Sequence, residues 1–323
     1  EIGLQGGIGG YLLPTMRANY AVLRPMSSMK LLEILQHEYT HFLVRNHGSQ
    51  VYPRWFDEGF AELLSTVKVS EGRFEMGTPA SVRAEWLHYG AWLPFSRVVD
   101  DEWSQGDIGD RAQAMFYAQS WALVHYLYLG PGAANVSSRT QDYLQRIERG
   151  GNPGGSFEAA YGERLEGLGQ RIEDYLPNAG GMVARLRAPF PAASVQIRPM
   201  AVYEIAAAVG RLALLRRNSQ EARRYVDVAL ATKPDHAPSL VMRAELDKSE
   251  QRYAEAESGY QRALALEPDS DLHHLDFGEY YLNRAEATGN PAQRAGFLKR
   301  ARKQFVLAET LNDKNPEVLA MYG

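Results

Sequence analysis

Apolar residues recur at helical spacing through much of this 323-residue chain, and short β-like runs interrupt them near its start. Leu31, Leu32, Leu35, Tyr39, Phe42 and Leu43 repeat every three or four residues, which predicts a helix over Met29–His47 with these side chains as its buried face. Ser27 and Ser28 are candidate N-caps, and Gly48 stops the helix. Pro53 opens a second helix with Phe56, Phe60, Leu63 and Leu64 on one side. Before both, Tyr11–Leu23 is rich in Tyr, Leu and Val and reads as one strand, with Pro14 favouring an edge position. Residues 71–111 read as short helices and loops. A strong helix covers Ala112–Leu129, and Phe157–Leu176 is helical with a break near Gly162.

The pattern changes at Asn178–Met200, where Gly180, Gly181, Pro189, Pro191 and Pro199 surround β-like pieces at Met182–Leu186 and Val195–Ile197. This stretch reads as a domain junction, and the chain after it is helical throughout. Lys233-Pro234-Asp235 recurs as Glu267-Pro268-Asp269, 34 residues later. In that register a small residue falls at Gly210, Ala244 and Gly278. A small, bulky, small series follows as Ala222, Val226, Ala229 and as Ala256, Tyr260, Ala263. The third copy carries it as Ala301, Phe305, Ala308, delayed by 11 residues, which places an insertion near Glu286–Arg294. A 34-residue helix-turn-helix period is the tetratricopeptide (TPR) signature.

Composition narrows the function classes. Apolar content of 45% and charged content of 23% are those of a globular protein, and a chain of this length favours two domains. A net charge of −4 gives no reason to expect nucleic acid, and no apolar run is long enough for a transmembrane segment. With no cysteine there are no disulfides and no thiolate ligands. The chain starts at Glu1 rather than Met, which reads as a trimmed N-terminus. The compartment is left open, with a bacterial periplasmic or secreted setting as the expectation.

The chemistry concentrates in two segments. His37-Glu38-Tyr39-Thr40-His41 is an HExxH motif, and its i, i+4 spacing projects both imidazoles from one helix face toward a shared metal. Glu38 lies beside them, where it can hold a water. Random placement in a chain with 8 histidines yields about 0.015 such motifs, so the motif alone is suggestive. Trp55-Phe56-Asp57-Glu58-Gly59-Phe60-Ala61-Glu62 supplies the support. Catalytic zinc takes three protein ligands and keeps one position open, and Glu58 completes a His2Glu set with His37 and His41. Glu62, one turn on, can accept the second ring N–H of His37.

With these segments the chain resembles the gluzincin metallopeptidases, a group with thermolysin, the aminopeptidase-N-like enzymes and the broader peptidase-MA-like proteins. The matching positions are His37, Glu38, His41, Glu58 and Glu62. Phe116-Tyr117-Ala118-Gln119-Ser120-Trp121 is similar to the helix whose leading tyrosine stabilises the oxyanion. Phe157-Glu158-Ala159-Ala160-Tyr161-Gly162 resembles the end of peptidase-MA-like domains. The resemblance spans roughly residues 1–176. It implies a gluzincin-type catalytic domain with a small N-terminal sheet over 1–178; together with the junction over 179–200 and the TPR-like repeats over 201–323 read from the pattern, the expected fold is α+β, mostly α. It also implies Zn2+ as cofactor, Glu38 as general base, Tyr117 as oxyanion donor, and a substrate paired to the edge strand.

There are departures. The G-x-M-E-N motif that grips a free amino group is missing, the 16-residue spacer between His41 and Glu58 is two shorter than in aminopeptidases, and Ser120 stands where a glycine is usual. The expected activity is therefore an endopeptidase acting on proteins or peptides, with the repeats docking a substrate or a protein partner through their groove. A TPR scaffold with a silent peptidase domain is the alternative, and hydrolysis of a non-peptide amide or ester would use the same zinc chemistry. His47 reads as a surface residue at the helix end. His88 and His125 read as structural histidines that could assist an oxyanion, His273 and His274 as residues of a repeat helix, and the tryptophans as core.

Overall fold

A computed structural model describes residues 10–15, 19–24, 28–46, 52–70, 73–100, 109–179, 183–187, 198–315 and 317. The protein is mostly helical with two small sheets, and it divides into two compact units, Leu4–Ser194 and Val195–Gly323. Among the described residues no helix is long and apolar enough to cross a membrane.

The first unit opens with a hairpin, β1 (Gly10–Pro14) against β2 (Asn19–Leu23). The pairing is antiparallel, with Tyr11 opposite Val22 and Leu13 opposite Tyr20. The single strand expected over 11–23 is therefore two, and Pro14, which lacks an N–H for the ladder, is the last residue of the first. Gly10 lets the hairpin lie close to the next helix, since a Cβ there would stand 2.9 Å from Ile34 and 2.5 Å from Leu23.

That helix, α1, runs Ser28–Asn46, and His47 falls outside the described residues. The apolar face expected for it is largely wrong. Leu32, Leu35, Tyr39 and Leu43 are 40–52% exposed, whereas Thr40 and His41 are buried. The face turned inward is the one that forms hydrogen bonds and ion pairs with α2 (Arg54–Ser65), and those bonds outrank apolar periodicity here. In α2, Trp55, Phe56, Ala61 and Leu63 are buried, and Trp55 donates from Nε1 to the Tyr143 hydroxyl at 3.1 Å.

β3 (Lys68–Ser70) and β4 (Arg73–Met76) follow, a hairpin where only helices and loops are expected. Then come α3 (Ser81–Tyr89), α4 (Phe95–Asp100) and α5 (Asp110–Tyr128). From Met115 to Leu127, α5 is buried at every position but Tyr117. It packs on α2 at Gly59, where an added Cβ would stand 2.5 Å from the Ser120 carbonyl oxygen. After α6 (Val136–Glu148) and α7 (Pro153–Tyr161), Gly162 adopts a left-handed φ of 68° that ends α7, and the chain restarts as α8 (Leu168–Ala179). β5 (Ala184–Arg187) then pairs with β4, Arg185 opposite Glu75 and 3.0 Å from its carboxylate. This piece of the expected junction thus belongs to the first unit's sheet. Val195–Ile197 lies outside the described residues.

The second unit is a run of helices: α9 (Val202–Leu215), α10 (Ser219–Thr232), α11 (Ala237–Ser249), α12 (Tyr253–Leu266), α13 (Asp271–Ala287) and α14 (Pro291–Leu311). They pack in consecutive pairs, α9 on α10, α11 on α12 and α13 on α14. The repeated small residues lie where helices meet. Ala222, Ala256 and Ala301 are buried, as are Ala229, Ala263 and Ala308. A Cβ on Gly210 would touch Val226 at 3.3 Å, and one on Gly278 would collide with the Phe305 ring. The 11-residue delay in the third copy is not a loop. α13 has 17 residues against 13 in α11, and α14 has 21 against 14 in α12, so the extra residues lengthen both helices.

Candidate metal centre

The HExxH helix and the segment after Pro53 meet face to face. His37 and His41 lie on one side of α1, and Glu58 faces them from α2. His37 Nε2 and His41 Nε2 are 3.2 Å apart, and Glu58 Oε2 lies 3.4 Å from the first and 3.3 Å from the second. Among the described residues this is a group that could hold a metal ion.

The fit can be tested on that triangle. Tetrahedral bonds of about 2.0–2.1 Å require ligand atoms about 3.3–3.4 Å apart. The three observed separations, 3.2, 3.3 and 3.4 Å, make such a face. Glu58 Oε2 is buried and makes no hydrogen bond of good geometry. Three ligand-type atoms therefore converge on one point. Burial disfavours the His41 cation, yet hydrogen bonds to Asp57 and Glu58 outweigh it and raise the His41 pKa to about 9. Burial would likewise raise the Glu58 pKa, but His37 and His41 hold it at about 2.

The second ring nitrogens are partnered too. His41 Nδ1 is 3.0 Å from Asp57 Oδ1, and the other Asp57 oxygen accepts from Arg45 Nη2 at 2.7 Å and Nε at 3.1 Å. Burial would raise the Asp57 pKa, but His41 and Arg45 lower it, so Asp57 stays ionised. His37 Nδ1 is 3.4 Å from Glu62 Oε1, which also accepts from Arg83 Nη2 at 2.6 Å. Carboxylates placed here fix ring orientation and tautomer, and leave both Nε2 atoms to face Glu58.

Glu38 follows His37 on α1 and is half-buried. Tyr117 projects from α5 with its ring edge-on to His37, centroids 6.4 Å apart, and the Arg83 guanidinium lies 5.0 Å over its face. Burial and the Glu58 carboxylate raise the Tyr117 pKa, which keeps its O–H as a donor. His88 is exposed and packs edge-on against Tyr89. His125 is fully buried, lies 2.7 Å from the Tyr175 hydroxyl, and is lowered by burial to about 4. His274 sits in the second unit between Gln304 and the Pro268 carbonyl. Trp55 and Trp121 are core residues.

Asp57, Arg45 and Arg83 are the site residues that sequence reasoning missed. Arg45 had a signal, because it continues the His37, His41 spacing by one more turn. Asp57 had a weaker one, as the acid next to Glu58. Arg83 had none, since it comes from α3, 21 residues beyond the carboxylate it meets. Compared with known proteins, the chain matches no described protein family, no curated protein and no solved structure.

Proposed function

We propose that this chain is a zinc-dependent metallopeptidase of the gluzincin kind, cleaving within proteins or peptides, with TPR-like repeats that dock substrate or partner. The observation that carries this reading is the triangle of His37 Nε2, His41 Nε2 and Glu58 Oε2, with edges of 3.2, 3.3 and 3.4 Å. His37, His41 and Glu58 are the residues that would hold zinc. Bound there, zinc supplies Lewis-acid polarisation of a carbonyl and lowers the pKa of water.

The remaining steps belong to the chain. Asp57 accepts the Nδ1 proton of His41, and Glu62, 3.4 Å from His37 Nδ1, orients the second ring. Glu38 takes a proton from the attacking water and passes it to the leaving amine. Tyr117 donates its O–H to the oxygen on which negative charge develops. Among the described residues β1 and β2 pair only with each other, and an extended substrate would add to this hairpin by main-chain hydrogen bonds. The small–bulky–small pattern of α9–α14 supports the repeat reading, and stacked repeats of that kind bind peptide segments.

Metal analysis combined with cleavage of a peptide library and of casein tests the proposal. The purified chain is expected to carry or take up one zinc and to release internal fragments. Glu38→Gln is expected to keep zinc and lose at least about 10³-fold in turnover. A chain that binds zinc but cleaves nothing, or cleaves equally well with Glu38→Gln, would overturn it.

A further inference from the structure

Helices α12, α13 and α14 line an open cleft of about 740 Å3 in the second unit. Arg284, from α13, lies within it. Its guanidinium carbon is 3.8 Å from the centre of the Tyr253 ring on α12 and 5.0 Å from that of Phe297 on α14. Its Nε is buried and makes no hydrogen bond. The other arginines of the cleft are committed to acids. Arg252 reaches Asp247 at 2.5 Å and Glu250 at 2.7 Å, and Arg300 lies 3.5 Å from Glu257. Arg284 pairs with no carboxylate among the described residues.

A guanidinium held against two rings has lost much of its freedom and most of its water, while its in-plane donors still require acceptors. The acceptor that matches its two Nη groups, which unlike Nε are not buried, is a planar oxyanion, bound through two parallel hydrogen bonds. Glu255 and Glu257 line the same cleft and disfavour a doubly charged phosphate. Arg284 is half-buried, whereas Gln251 and Gln293 at the rim are exposed. A ligand must therefore reach inward with its charge while its backbone stays at the rim, where side-chain amides can pair with peptide groups. The geometry points to a docking site for an extended peptide segment of a protein partner, anchored by one aspartate or glutamate side chain on Arg284. This site rests on the docking role proposed for the repeats, lies wholly within the second unit and does not depend on the metal-centre reading.

The test uses the whole chain with 1,10-phenanthroline present, so that cleavage cannot deplete the probe. Pools of N-acetylated, C-amidated heptapeptides with a central Glu or a central Gln are passed over immobilised protein, and retained peptides are read by mass spectrometry and fluorescence anisotropy. The Glu pool is expected to bind at least about tenfold more tightly than the Gln pool. Arg284→Gln is expected to erase that difference, and Arg284→Lys to restore only part of it, because an ammonium offers no fork. Circular dichroism confirms that the variants are folded, and the comparison of the two pools on the unaltered chain needs no variant. Equal retention of both pools, or an Arg284→Gln chain that still prefers Glu, would overturn the proposal. In parallel controls, binding of the same heptapeptides only when their C-terminal carboxylate is left free, or displacement of the Glu pool by millimolar inorganic phosphate, would overturn it as well.

Discussion

Helices α1 and α2, and helices α11 and α12, are both consecutive pairs packed side by side, and they put opposite chemistry between them. α11 and α12 meet through Ala244, Ala256, Gly259 and Tyr260, and a Cβ added at Gly259 would stand 3.0 Å from the Ala244 methyl. α1 and α2 meet through His37, His41, Asp57, Glu58 and Glu62. The first arrangement gains from close contact of small and apolar groups. The second takes charges out of water, which costs free energy unless each is paired. Pairing is nearly complete, through Arg45 on Asp57 and Arg83 on Glu62, and the exception is the Glu58 oxygen that faces both histidines. Where a helix pair excludes water with alanine it serves stability. Where it excludes water around converging ligand atoms, it forms a group that could hold a metal ion.

The sharpest way to break this contrast is to remove the converging charge. Glu58→Gln is expected to lower zinc affinity by more than about 100-fold, since losing a direct ligand should exceed the loss of an outer partner. Titration with a zinc indicator checks it, and unchanged affinity would end the metal reading.

pH separates the two pairs next. In the zinc-free chain the folded His41 pKa is about 9 against 6.5 for the free side chain. A raised pKa means its contribution is fully present below pH 6.5 and fades as pH rises through about 9. The loss is on the order of 3 kcal/mol. Urea unfolding of the first unit at pH 6.5 and pH 9.5, compared with a His41→Gln chain, measures it. The second unit should show no such step from this residue. Zinc added at neutral pH should release a proton, because its ligands must be deprotonated.

Steric variants compare the two packings directly. Gly59→Ala presses on the Ser120 backbone, which cannot give, and should cost about 1–3 kcal/mol while weakening zinc binding. Gly278→Ala presses on the Phe305 ring and should destabilise the second unit by about 1–2 kcal/mol with zinc binding unchanged. Zinc loss in Gly278→Ala would mean that the units are not independent.

Asp57→Asn tests whether the outer carboxylate matters. It leaves Arg45 unpaired and takes the charge from behind His41, so zinc affinity should fall about 10–100-fold. The smallest effect has the opposite sign. The Tyr260 hydroxyl is buried without a partner, so Tyr260→Phe should leave the second unit unchanged or up to about 1 kcal/mol more stable by urea denaturation.

The sequence by itself determined what depends on neighbours along the chain. The i, i+4 spacing puts His37 and His41 on one face of a helix. The 34-residue period places Ala222 and Ala256 at equivalent positions, and Pro53 and Gly162 mark helix boundaries where they occur. These follow from backbone geometry that each segment carries within itself. Tertiary structure decided which face of α1 is buried. Apolar spacing favoured Leu32, Leu35, Tyr39 and Leu43, but hydrogen bonds from α2 drew the histidine face inward and left those four outside. It also brought Arg83 to Glu62, and Ala184–Arg187 to β4, more than 100 residues upstream. Such partners carry no local signal, because ion pairs and strand ladders form between segments that only the packed chain brings within a few ångströms of each other.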